Sequence, residues 1–128
     1  MIKATDLRIG NYVECFGYRY VTEIRKDKLK VEHYKDGKYI SEWSPLFSIG
    51  GIPLTEDILL KAGFTKINNM DSYYEKIIGN LKIYFNHKHG ECEISVYGYG
   101  RRLKHIKHLH QLQNLLLSLT GEELTINF

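Results

Sequence analysis

The sequence has few residues that cross-link or interrupt a chain, two Cys and two Pro, and it has one Trp among 128 residues. Cys15 and Cys92 stand far apart and belong to no paired-cysteine motif, which excludes a zinc ribbon or a disulfide framework and is typical of a reducing cytosol. No aliphatic run is longer than residues 115–117, so no segment has the pattern of a membrane span. Lys3 and Asp6 place charge where a secretory signal needs apolar residues. We therefore expect a cytoplasmic protein.

Neither sign of charge is in large excess. The chain has 18 Lys and Arg against 15 Asp and Glu, a formal charge of +3, and neither half is a strongly basic arm of the kind that binds nucleic acid. Hydrophobic residues make up 43% and charged residues 26%, which excludes disordered, collagen-like and membrane classes. The length suits one ordinary domain or two very small ones.

Residues 8–45 have the pattern of short strands separated by turns. Residues 18–24 are rich in aromatic and β-branched side chains, residues 29–33 alternate apolar with polar, and Asp36-Gly37 is a strong hairpin signal. An open sheet this short would expose its edges, which favours a small SH3-like β-barrel or a curled meander of four strands. We assign residues 1–50 to this subdomain.

The second predicted subdomain covers residues 51–128 and begins with a connector. Two glycines and Pro53 interrupt regular structure there, and a short linking helix follows. Thr55 is its expected N-terminal cap, and Gly63 is placed to end it.

An antiparallel sheet and a final helix complete the prediction. Residues 73–97 predict a three-stranded meander, and residues 102–106 and 124–128 are the candidates for a fourth strand and a short terminal strand. The expected cover is one amphipathic helix, whose apolar stripe consists of Leu109, Leu112, Leu115, Leu116 and Leu119. The sequence thus predicts an α+β fold in which the two subdomains pack together as one compact unit.

Three segments carry a resemblance: LRIGNYV from Leu7, IPLTEDILLKAGF from Ile52 and HQLQNLLLSLTGEELT from His110. Together they resemble a group of small uncharacterised proteins encoded in Bacteroidetes genomes and in their phages and mobile elements. The resemblance implies a bacterial or phage protein of the cytosol and brings no activity, cofactor or catalytic residue. The first segment is also similar to the opening of many SH3-like barrels.

Aromatic residues supply the first candidate site. Ten residues are Tyr, and we select as a protein-binding or peptide-binding set Tyr18, Tyr20, Tyr34, Tyr39 and Trp43. Tyrosine joins a large contact area to a polar tip and has few rotatable bonds, so exposed tyrosines make a recognition surface. The competing interpretation is strand propensity, which selects tyrosine in half-buried sheets of every function.

A basic stretch is the alternative, as a site for single-stranded nucleic acid. Cations for phosphates stand beside aromatic rings for bases in the set Tyr97, Tyr99, Arg101, Arg102, Lys104 and Lys107. In a strand these charges would divide between two faces. The competing interpretation is a solvated edge strand whose basic residues deter unwanted pairing.

Histidines offer a weaker alternative, a metal site. The candidate ligands are His87, His89, His105 and His108, and neither pair has a carboxylate or cysteine at ligand spacing. Ordinary polar roles at a hairpin tip and a helix entry compete with this interpretation. Motifs for nucleophilic or phosphate-transfer chemistry are absent from the sequence, and we expect no cofactor. A binding protein is therefore favoured over an enzyme, and sequestering a small molecule stays open as a further alternative.

Overall fold

The fold comes from a computed structural model that describes residues 2–67, 73–86, 88, 90–96 and 99–128, without the side chains of Val96 and Tyr99. The chain divides into two compact units, Met1–Ile52 and Pro53–Phe128. Each has its own antiparallel sheet, and the second also holds the main helix. The predicted α+β class is confirmed.

The first unit is a four-stranded antiparallel meander. In chain order its strands are β1 (Tyr12–Glu14), β2 (Tyr18–Ile24), β3 (Lys28–Lys35) and β4 (Lys38–Pro45). Single turns of 3₁₀ helix at Ala4–Asp6 and Leu46–Ser48 flank the sheet. Each strand pairs with the next one along the chain, and no ladder within residues 2–52 joins β4 to β1 to close a barrel. The meander is confirmed, and the SH3-like barrel stays a prediction.

One face of this sheet forms the core of the first unit. The register places Val13, Val21 and Val31 on that face, where their side chains are completely buried. The full buried cluster is Leu7, Val13, Cys15, Val21, Leu29, Val31 and Ile49. Successive strand residues point to opposite faces, so the alternate residues of β2, β3 and β4 lie on the other face of the sheet.

Two local devices set the register of this sheet. Asp36 and Gly37 both have positive φ, +52° and +78°, as a two-residue type I′ hairpin turn requires. They fix β3 against β4 with Lys35 opposite Lys38. Between β2 and β3, Thr22 is an extra residue, a β-bulge that shifts the pairing after Val21.

In its described residues, the second unit contains a five-stranded antiparallel sheet and two helices. Its elements are α1 (Glu56–Lys61), β5 (Thr65–Lys66), β6 (Tyr73–Ile78), β7 (Leu81–Asn86), β8 (Glu91–Val96), β9 (Tyr99–Leu103) and α2 (Leu109–Thr120). The Thr55 hydroxyl accepts a hydrogen bond from the Ile58 N–H and so caps α1 as predicted. Gln111 stabilises the start of α2, where its side-chain oxygen accepts hydrogen bonds from the backbone N–H groups of Lys107 and His108.

The structure differs from the predicted pattern of this unit at residues 102–106, at residues 124–128 and on α2, and it adds the short strand β5. The strand expected at residues 102–106 is β9, which begins and ends earlier, and residues 124–128 form no strand, although the Asn127 N–H donates to the Lys61 carbonyl. On α2 the buried residues are Leu109, His110, Leu112, Gln113 and Leu116, whereas Leu119 is half exposed. Two polar side chains therefore share the buried face of this helix.

Helix α2 lies beside the second sheet. Its Leu116 and Thr120 line one surface cavity together with Lys76 and Ile78 of β6. Ile83 and Phe85 of β7 are buried on the sheet face that carries those β6 residues. Among the described residues, no helix is long and apolar enough to cross a membrane.

Candidate functional site

The face of the first sheet opposite the core carries a group of aromatic side chains, here called the aromatic face. Cross-strand partners in an antiparallel ladder share a face. Tyr12 pairs with Tyr20, and Tyr34 pairs with Tyr39. With strand alternation this gives the complete set Tyr12, Tyr18, Tyr20, Tyr34, Tyr39 and Trp43.

These rings are open to solvent to an unusual degree. Tyr39 is 74% exposed, Tyr34 64% and Trp43 38%. Tyr18 and Tyr20 are also exposed, while Tyr12 is half-buried. The rings are not needed in the core, because the opposite face of the sheet supplies it.

The tyrosines are organised in edge-to-face pairs. The ring centroids of Tyr12 and Tyr20 are 5.2 Å apart at an interplanar angle of 68°, and those of Tyr34 and Tyr39 are 5.1 Å apart at 66°. Each such pair contributes roughly 0.5–1.5 kcal/mol beyond the area that it buries. The contacts restrict the rings, so a partner would meet a partly ordered surface.

Trp43 lies among three cations at one end of the aromatic face. The guanidinium carbon of Arg25 is 4.7 Å from the ring centroid, and the ammonium groups of Lys28 and Lys30 are 5.1 Å and 6.0 Å away. These distances are typical of cation–π contacts. Lys30 also forms an ion pair with Glu23 at 3.6 Å, whereas within the described residues neither Arg25 nor Lys28 has a carboxylate partner.

Carboxylates lie on the same face as the tyrosines. Glu32 is opposite Tyr20 and accepts a hydrogen bond of 3.3 Å from the Ser41 hydroxyl. Glu14 is opposite Tyr18 and accepts from the Gly17 N–H at 2.9 Å. The aromatic face thus carries acidic groups among its tyrosines and, around Trp43, two cations that pair with no carboxylate of the described residues.

A further exposed ring stands at the turn between β1 and β2. Phe16 is 90% exposed and has a φ of +54°, a conformation that costs an L-residue about 1 kcal/mol. Its carbonyl accepts from the Arg19 guanidinium at 2.8 Å, and the Cys15 N–H donates to the Gly17 carbonyl. These bonds hold a strained backbone that presents an apolar ring to solvent.

All five aromatic residues selected from the sequence lie on the aromatic face. The interpretation from strand propensity assumed a half-buried sheet, but Tyr34 and Tyr39 are far more exposed than that. The cations around Trp43 were not foreseen. One signal was available, because the Asp36-Gly37 turn fixes the register and so places Lys30 opposite Trp43.

The structure divides the basic stretch proposed for nucleic acid. Arg101 lies opposite Ile94, while Arg102 lies opposite Glu93 on the other face of the second sheet, 3.8 Å from the Glu91 carboxylate. The other cations, Lys104 and Lys107, follow β9 and are exposed. Tyr97 lies outside the described residues, as does the side chain of Tyr99. The nucleic-acid site stays a prediction.

The histidines are brought together only in part. His105 is exposed in the turn before α2, and His108 stacks on His110 with ring centroids 5.8 Å apart. His87 and His89 lie outside the described residues. Among those described, no three side chains of His, Cys, Asp or Glu group as metal ligands. The metal site stays a prediction.

Two buried groups could serve as acids or nucleophiles in the second unit. Burial, with a smaller effect of the Glu93 charge, raises the pKa of the Cys92 thiol to about 12, which leaves little thiolate at neutral pH. Burial also raises the pKa of Tyr74, and its hydrogen bond to the Glu56 carboxylate and that group's charge add to the shift. Both environments stabilise the neutral form, which is typical of structural residues.

The surface cavity between β6 and α2 measures about 180 Å³. Drug-sized ligands usually occupy about 300–1,000 Å³ of mostly apolar pocket. Its lining includes Lys76, Glu122 and Glu123, so it offers mixed charge rather than an apolar enclosure. Nothing in this lining favours the small-molecule alternative.

In comparisons with known proteins, no family model, curated protein or solved structure matches the chain. The resemblance to the Bacteroidetes and phage group stays a prediction.

Proposed function

We propose that this protein is a non-catalytic binding module that recognises a protein or peptide through the aromatic face of its first sheet. The observation that carries this proposal is the gathering of Tyr18, Tyr20, Tyr34, Tyr39 and Trp43 on one exposed face while the other face holds the core. Rings of this kind supply a large contact area, lose little conformational entropy on binding and dominate many protein interfaces.

The charges of the face favour a protein or peptide over a nucleic acid. Glu14, Glu23 and Glu32 lie among or beside the rings and would repel a phosphate backbone. Single-strand binders instead track that backbone with a continuous positive groove. Aromatic rings with a polar rim are the ordinary composition of a protein interface.

The test is selection of short random peptides displayed on phage, with excess yeast RNA present, followed by affinity measurement with the synthetic form of each selected peptide. We expect Trp43→Ala and Tyr39→Ala to weaken binding about tenfold or more, the usual loss at an interface anchor. Ile77→Ala is the matched control, because Ile77 is exposed on β6 of the other sheet.

Two results would overturn the proposal. One is a set of selected peptides that bind the Trp43→Ala and Tyr39→Ala variants as tightly as the wild type. The other is binding of oligo-dT with a steep salt dependence that both substitutions abolish, which would assign the face to nucleic acid.

A further inference from the structure

Over the part of the chain that the structure describes, the two sheets end in four edge strands, and three of these are protected. Strand β1 has three residues and is bridged by Gly50, whose N–H and carbonyl both bond to Glu14 at 2.9 Å. Strand β5 has only two residues. Strand β9 carries Arg101 and Arg102. Short length, coverage and basic residues are the usual protections against pairing with another chain.

The fourth edge, β4, lacks these protections over most of its length. It has eight residues, seven of them exposed, and within the described part of the chain it pairs with β3 alone. Lys38 and Pro45 stand at its two ends, but residues 39–44 contain no Lys, Arg or Pro. A long exposed edge with aromatic side chains is the usual template for an added strand.

The hairpin turn determines which backbone groups of β4 are available. A two-residue turn makes Lys35 and Lys38 a hydrogen-bonded pair, and such pairs alternate with non-bonded ones along an antiparallel ladder. Tyr39, Ser41 and Trp43 therefore occupy non-bonded positions, with their N–H and carbonyl groups directed away from β3. The same three residues have their side chains on the aromatic face.

We propose that β4 binds an extended peptide as an additional strand of the first sheet, with an acidic side chain of the peptide beside Trp43. This inference rests on the proposed function and names the partner's conformation and charge. The backbone of Tyr39, Ser41 and Trp43 supplies the ladder. Arg25 and Lys28 attract the acidic side chain, because they lie at the Trp43 ring and no carboxylate of the described residues pairs with either.

A peptide fits this edge better than a second copy of the chain. Opposed residues must lie on the same face, so only two antiparallel registers pair seven of the eight residues of β4, and a shorter one that sets Glu42 opposite Lys38 pairs five and leaves Trp43 outside the ladder. The two longer registers place Glu42 opposite its own copy or opposite Ile40. The first arrangement brings like charges together, and the second sets a carboxylate against an apolar side chain. A different strand can instead place a basic or polar residue at this position.

The test compares two substitutions at one position, with the peptide selected above as the probe. Ser41→Pro removes an N–H that points away from β3 and blocks the added ladder, and Pro is tolerated on edge strands whose N–H faces solvent. Ser41→Ala is the matched control, because both variants lose the same hydroxyl contact with Glu32. We expect Ser41→Pro to bind about tenfold more weakly than Ser41→Ala.

A second experiment tests the requirement for an acidic side chain in the peptide. Replacing the acidic residue of the selected peptide by its amide should weaken binding about fivefold, as expected for a partly exposed ion pair. The loss should largely disappear in the double variant Arg25→Gln, Lys28→Gln. An equal loss in wild type and double variant would overturn the assignment of the acidic side chain to Trp43.

Amide hydrogen exchange of the wild type tests strand addition even if the Ser41→Pro variant does not fold. Bound peptide should protect the N–H groups of Tyr39, Ser41 and Trp43. Equal affinity of a folded Ser41→Pro and of Ser41→Ala, or unchanged exchange at these three amides, would overturn strand addition. Retained sensitivity to Trp43→Ala in that case would leave the aromatic face as the binding surface. A peptide-free dimer that dissociates on Ser41→Pro would assign the edge to a second copy.

Discussion

The guanidinium carbon of Arg25 lies 4.7 Å from the centroid of the Trp43 ring. Arg25 follows the end of β2 and Trp43 belongs to β4, so the contact spans the intervening strand β3. The bulge at Thr22 and the turn at Asp36 and Gly37 together set this arrangement. It makes the only tryptophan of the chain a direct optical reporter of the charged end of the aromatic face.

Trp43 fluorescence should respond to the sign of a quencher. Because Arg25, Lys28 and Lys30 surround the ring, the ratio of iodide quenching to caesium quenching should be about twofold or more higher than for free N-acetyltryptophanamide, and added salt should reduce this excess. Stern–Volmer constants for the two ions measure this. In the variant Arg25→Gln, Lys28→Gln the preference should shrink. A wild-type ratio equal to that of free N-acetyltryptophanamide would contradict the charge environment described here.

Phe16→Asn should stabilise the first unit. Asn tolerates the left-handed conformation that Phe16 adopts, and the exposed ring contributes little packing, so we expect the free energy of unfolding to rise by about 1 kcal/mol. Urea denaturation followed by Trp43 fluorescence measures it. Gly17→Asn is the control of opposite sign, because Gly17 has a φ of +112° and a Cβ there would meet the Arg19 guanidinium at 3.0 Å. A loss of stability in Phe16→Asn would count against the strained turn.

Neither thiol should react in the folded protein. Cys15 and Cys92 are both buried, and the pKa of Cys92 is raised to about 12. A disulfide reagent added at pH 8 should therefore label no thiol until denaturant is present, when both react. Mass spectrometry of the labelled chain shows which thiols have reacted. Prompt labelling of Cys92 without denaturant would show that β8 is open to solvent.

Alkaline pH should destabilise the second unit through Tyr74. Its pKa in the folded state is raised above the usual value of 10.0, so the unfolded chain releases the proton first. The contribution of Tyr74 is fully present below pH 10 and is lost as pH rises from there through the raised value. Tyr74→Phe should flatten the dependence of the urea midpoint on pH above 10. The exposed Tyr39→Phe is the control, and an equal slope in both variants would remove Tyr74 as the cause.

Short-range signals predicted much of the first sheet. Asp36 and Gly37 predict a hairpin because few residue pairs fit a type I′ turn, and the turn then fixes which residues of β3 and β4 share a face. The aromatic face follows from that register. In β7 the alternation of apolar and polar residues gives the buried positions Ile83 and Phe85 in the same way.

Other features depend on contacts that no local pattern contains. The bulge at Thr22 moves Glu23 opposite Lys30, and nothing in the sequence of β2 marks the extra residue. Strand β5 has two residues, too few for a period. Gln113 is buried on α2, where the leucine pattern predicts an apolar contact instead. These positions are fixed by neighbours distant in sequence.

The most direct test of peptide recognition is an NMR titration of the isotope-labelled protein with the selected acidic peptide. We expect the amide signals that shift most to be those of β4, from Tyr39 to Trp43, followed by the tyrosines of the aromatic face. Shifts centred on β9 or α2, with β4 unchanged, would contradict the assignment of function to the first sheet.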